Sequence, residues 1–102
     1  MPRDAVELHV ERPDLLLDEI APGVFGKRFD GPDGTYFPIV YAAKAGSGDV
    51  GRFLDALPHD RVMKFPCVVS SRLQGMLQRR GFRLTHEWSA AAEEDVDVWV
   101  RP

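Results

Sequence analysis

The chain has one cysteine, no long apolar run and no excess of positive charge, and each absence removes a class of protein. With Cys67 alone, no internal disulfide can form, which suits a reducing compartment. Cys67 lies in the apolar run Phe65-Pro66-Cys67-Val68-Val69 and is expected to be a small buried hydrophobe rather than a nucleophile. No apolar stretch approaches the ~20 residues that span a bilayer. Met1-Pro2-Arg3-Asp4 is not followed by the apolar core of a secretion signal, so a cytoplasmic protein without a membrane partner is expected. A formal charge of −3 gives no electrostatic reason to expect nucleic acid as a partner. The basic cluster is Arg72, Arg79, Arg80 and Arg83, which could bind an acidic partner or a phosphate but whose default reading is a solvated helix face. Three scattered histidines lack metal-ligand spacing. There is no G-x-S-x-G elbow, no phosphate loop ending in Gly-Lys-Ser/Thr, and no internal repeat.

What is present suits one folded domain over 1–102. An apolar fraction of 44% and a charged fraction of 28% are enough for a single core, but 102 residues is short for an enzyme with a deep cleft. Ala5 to Glu11 alternates with period two and predicts a strand, with His9 on its polar side. Pro13 and Asp14 suit a first helical turn, so Asp14 to Ile20 reads as a short helix that Pro22-Gly23 ends. Val24 to Phe29 and Thr35 to Ala42 read as a hairpin around Asp30-Gly31-Pro32-Asp33-Gly34. Pro38 has no N–H and requires an edge, a bulge or interrupted pairing.

After the small-residue turn Lys44 to Gly48, Val50, Phe53, Leu54 and Leu57 form an apolar helical stripe, closed by Pro58. Arg61 to Val69 is the most apolar strand and is expected to be central, with Pro66 marking an irregularity. Ser71 and Gln74 have capping-box spacing; Leu73, Met76 and Leu77 continue a helix face, and Gly81 suits a left-handed C-cap. Phe82 to Trp88 and Asp95 to Arg101 read as a terminal hairpin. Alternation in its second strand places Trp99 on the polar side, where an exposed tryptophan at a sheet edge would suit a homodimer contact. The predicted class is α/β: a mixed β-sheet with helices on its faces, in the order β-α-β-β-α-β-α-β-β.

Two stretches carry a resemblance. Gly46-Ser47-Gly48 falls between a strand and a helix, and Ser70-Ser71-Arg72-Leu73-Gln74-Gly75-Met76-Leu77-Gln78-Arg79-Arg80-Gly81-Phe82 forms the later helix with its Gly-Phe end. Together with the terminal hairpin, these resemble the GNAT superfamily of N-acetyltransferases over roughly the last two-thirds of the chain. In that family a Q/R-x-x-G-x-G/A turn binds the pyrophosphate of acetyl-CoA, and two splayed strands admit its pantetheine arm. The resemblance implies acetyl-CoA as cofactor, held by Lys44, Gly46, Ser47, Gly48, Gly51 and Ser70, and a small-molecule or protein amine as acceptor. The chain departs from the pattern at Ala43 in place of Gln or Arg, Ser70 in place of asparagine, Leu73 in place of alanine and Leu77 in place of the general-acid tyrosine.

Acyl transfer to an amine needs a base and a proton donor. His86 with its neighbour Glu87, and His59 with Asp60, are candidate bases; Tyr41 or Tyr36 is a candidate replacement for the tyrosine. Each has a plain alternative: a surface histidine, or a core tyrosine with its hydroxyl bonded. Gly46 to Gly51 likewise reads either as a phosphate-binding turn or as a strand-to-helix turn capped by Asp49. Two functions follow, an acetyl-CoA-dependent N-acetyltransferase or a non-catalytic binding or assembly module of the same fold. Divergence of the Tyr36–Tyr41 and Val62–Val69 strands at their C-terminal ends discriminates between them.

Overall fold

The computed structural model describes residues 17–44 and 46–102. The strand expected over Ala5 to Glu11, His9 within it, and Asp14 to Leu16 lie outside the described residues. Six strands and two helices follow in the order β1 (Asp18–Ala21), β2 (Val24–Gly31), β3 (Gly34–Ala42), α1 (Asp49–Asp55), β4 (Met63–Pro66), α2 (Ser71–Arg79), β5 (Arg83–Ser89) and β6 (Glu94–Arg101). They form one mixed sheet ordered β1-β2-β3-β4-β6-β5. The β3–β4 pair, joined by the α1 crossover, is parallel, and the other pairs are antiparallel. The class is α/β, as predicted. No described helix is long and apolar enough to cross a membrane.

Four expectations are corrected. Asp18 to Ile20 is strand, not helix: Asp18 pairs with Gly26 and Glu19 with Phe25, and Pro22-Gly23 is a hairpin turn rather than a helix stop. Proline followed by a glycine at φ +75° is the pairing a type II turn favours. Trp99 is 8% exposed and stands on an interior strand, because β6 inserts between β4 and β5. It joins the core cluster of Phe65 and Phe82, so it marks no edge. Cys67 is exposed and adopts φ 57° where the chain leaves β4. Finally, the residue that caps α2 is Ser70, whose Oγ accepts from the Leu73 N–H at 3.2 Å; Gln74 donates instead to the Val68 carbonyl.

Both helices pack on one face of the sheet. Phe53, Leu54 and Leu57 from α1 and its end, and Leu77 and Phe82 from α2 and its end, meet Phe37, Met63, Phe65 and Trp99. Phe65 has no exposure; it stacks on Phe37 at 5.0 Å and meets Phe82 edge-on at 5.3 Å. Each such side chain contributes about 1.5–3 kcal/mol by leaving water. α2 ends in a Schellman motif: Phe82 N–H donates to the Leu77 carbonyl and Gly81 N–H to that of Gln78, with Gly81 at φ +86°. Arg80 joins the helices, donating to Asp55 at 2.8 Å.

Candidate functional site

The β3–β4 ladder at the centre of the sheet is short, and each strand carries a proline beyond it. β3 pairs with β4 only at Thr35↔Met63 and Tyr36↔Lys64. Beyond that point Lys27 faces Ile39 while Phe29 faces Tyr36, so Phe37 and Pro38 together oppose Arg28 in a bulge. A bulge bends its strand, and β3 continues along β2 to Ala42 without β4 beside it. On the β4 side, the Cys67 N–H donates to Asp97 at 2.8 Å. Antiparallel alternation then turns the amide of Phe65 toward β6 and the nitrogen of Pro66 toward the gap. A proline there leaves no N–H orphaned. The β3–β4 ladder therefore ends at Tyr36 and Lys64, while β3 keeps β2 and β4 keeps β6 as partner.

Beside the end of β3 lies a cleft of about 470 Å³. Its walls are the end of β3 and the following residues (Val40 to Lys44), the turn Gly46 to Gly51, and Ser70, Arg72, Leu73 and Met76 at the start of α2. That volume lies within the range of small-molecule sites. Val40, Val50, Leu73 and Met76 supply an apolar lining, while Lys44 and Arg72, both exposed, supply two cations.

Asp49 does not cancel those cations. Its carboxylate accepts from Ser47 Oγ at 2.9 Å and pairs with the Arg52 guanidinium. The hydroxyl of Ser47 and then Arg52 hold its pKa below the ordinary carboxylate range. A Cβ on Gly23 would collide with the Asp49 carboxylate, which is therefore turned against the β1–β2 turn. Ser47 Oγ also accepts from the Asp49 N–H at 3.3 Å, and the first-turn amides of Val50 and Gly51 have no carbonyl four residues back within α1. A Cβ on Gly46 would meet nothing within 4 Å, which leaves the backbone open to close approach. Gly51 has a packing role, with Arg80 and Met76 lying 3.4 and 3.7 Å from its missing Cβ.

Lys44, Gly46, Ser47, Gly48, Gly51 and Ser70 are brought together around this cleft, and Tyr41 lines it with them. His86 and Glu87 are not among its lining residues. As neighbours on β5 they point to opposite faces. His86 is exposed and pairs through Nε2 with Asp97 at 3.0 Å. Glu87 lies on the face away from the helices, where Lys64 donates to it at 2.8 Å and to the Tyr36 hydroxyl at 3.1 Å. Burial opposes the Lys64 charge, but the bonds to Glu87 and Tyr36 outweigh it and raise its pKa, so Lys64 is a cation at neutral pH. His59 and Asp60 lie beyond the far end of α1. Arg72 stood out in the sequence only within the basic cluster, not beside the turn motif, and the apolar lining did not stand out. The signal for Arg72 was its place two residues after the cap Ser70, which sets it in the first turn of α2 beside the glycines. Among the described residues, no group of three or more His, Cys, Asp or Glu side chains is placed to hold a metal ion. Comparison of the chain with protein-family models, curated proteins and solved structures finds no match.

Proposed function

We propose that this chain is a small GNAT-type, acetyl-CoA-dependent N-acyltransferase acting on an amine of a small molecule or protein in the cytoplasm. The observation that carries this reading is the cleft ringed by the glycine turn, Lys44 and Arg72, at the end of β3 where β4 no longer pairs with it. An interrupted ladder between two strands suits an extended pantetheine arm, and open glycines with two flanking cations suit its phosphates. Bound acetyl-CoA would supply the thioester whose acyl group passes to the amine. Lys44 and Arg72 hold the phosphates, Val40, Val50, Leu73 and Met76 exclude water, and the Tyr41 phenol is the proton donor within the cleft.

A second reading has its own support. Leu77, at the family's tyrosine position, has no exposure and no proton to give, and His86 and Glu87 lie off the cleft. On that reading the chain is a non-catalytic binding or assembly module of the same fold.

Thermal melting with and without acetyl-CoA or CoA tests both. Ligand at ~100 times its Kd raises stability by about 2.7 kcal/mol. That shift is expected in the native chain and is lost in Lys44→Glu/Arg72→Glu, whose exposed positions leave the ligand-free melt unchanged. Release of free thiol in the presence of primary amines then separates an enzyme from a module that only binds. Neither ligand shifting the melt overturns the cofactor site.

A further inference from the structure

The two ends of the sheet differ in how they are protected. β1 is four residues long, carries a register shift and exposes Asp18 and Glu19, features that discourage strand addition. β5 runs seven residues in unbroken register with β6 and has no neighbour on its outer side among the described residues. It also exposes Leu84 (48%) and Trp88 (66%). The phase of the β4–β6 ladder turns the amides of Val96, Val98 and Val100 toward β5. Arg83, Thr85 and Glu87 therefore bond β6, and Leu84, His86 and Trp88 direct their N–H and C=O groups outward.

We infer that β5 is a homodimerisation edge, pairing antiparallel with β5 of a second copy about a two-fold axis at His86. This register alone matches all three outward residues with outward residues: His86 with His86 of the second copy, and Leu84 with its Trp88, twice over by symmetry. Both exposed apolar side chains become cross-strand pairs on one face.

Charge selects the same partner and direction. The chain entering β5 is basic, with Arg79 and Arg83 exposed; the chain leaving it is acidic, with Glu93, Glu94 and Asp95 exposed. Antiparallel pairing sets the basic end of each copy against the acidic end of the other, whereas parallel pairing would set like against like. Arg83 falls opposite Ser89 of the second copy, whose own ladder partner is Glu94. Arg83 and that Glu94 share a face, about 10 Å apart between backbones, with only a serine between them. At the centre, each His86 is backed by Asp97 of its own chain at 3.0 Å. Because β1 is guarded, the assembly closes at two.

Sedimentation equilibrium of the full chain, from micromolar to near-millimolar concentration, is the test. The expected species has twice the 11.5 kDa chain mass and dissociates on dilution. Trp88→Lys weakens association about tenfold or more without lowering the melting temperature of the monomer. Arg83→Glu and Glu94→Lys each weaken it similarly, and the double variant regains association, which a folding defect would not allow. A monomer at every concentration, an assembly larger than two, or a dimer indifferent to these substitutions would overturn the inference.

Discussion

Leu77 is where the resemblance to acetyltransferases meets the physics of this core. It has no solvent exposure, it belongs to the cluster with Phe65 and Phe82, and its carbonyl anchors the end of α2. A tyrosine there would overpack the core at about 1–3 kcal/mol and bury an unmatched hydroxyl at about 1–3 kcal/mol more. Leu77→Tyr is therefore expected to lower the urea midpoint clearly and leave thiol release from acetyl-CoA no faster than in the native chain. A faster variant of unchanged stability would mean that this position reaches the cleft after all.

Among the elements, the β1–β2 turn and the β3–α1 turn make a matched pair. Gly23 and Gly46 have nearly the same positive φ, +75° and +76°, so an alanine costs ~1–2 kcal/mol of backbone strain at either. Their surroundings differ: Asp49 fills the space beside Gly23, while Gly46 has nothing within 4 Å. Gly23→Ala must also displace the Asp49 carboxylate from Ser47 and Arg52, and is expected to be the more destabilising by at least ~1 kcal/mol. Equal denaturant midpoints for the two variants would show that Asp49 is not held against the β1–β2 turn.

For the whole molecule, two carboxylates set the response to acid. Asp30 accepts from Thr35 Oγ1 at 2.7 Å, with Arg28 and Arg61 nearby, and Asp49 accepts from Ser47 and Arg52. Both pKa values are lowered in the fold. A lowered carboxylate contributes stability above its unfolded pKa and loses it as pH falls through the folded one. Stability is therefore expected to be flat near neutrality and to fall below about pH 4. Urea midpoints measured down that range should fall less steeply in Asp30→Asn/Asp49→Asn; parallel curves would show that other groups carry the acid transition.

The sequence by itself determined what acts within a few residues. The stripe Val50, Phe53, Leu54 and Leu57 specified α1, the Gly-Pro-Asp-Gly turn specified the β2–β3 hairpin, and Gly81-Phe82 specified the end of α2, because turn dihedrals, caps and helical period are local properties. Pro38 and Pro66 announced irregularities, since a missing N–H shows in the chain itself; that they flank one gap was not legible. Only the tertiary structure decided which strands became neighbours. Placing β6 between β4 and β5 buried Trp99 and left Trp88 at an edge, although alternation had put Trp99 with the charged residues. Pairing with β2 drew Asp18 to Ile20 into a strand against their helical spacing, and the turn out of β4 exposed Cys67 within an apolar run. The same applies to the site: the glycine turn was visible, but Arg72, Leu73 and Met76 joined it only when α2 packed beside α1. Hydrogen-bond partners and burial depend on residues far away in sequence, and no local pattern encodes them.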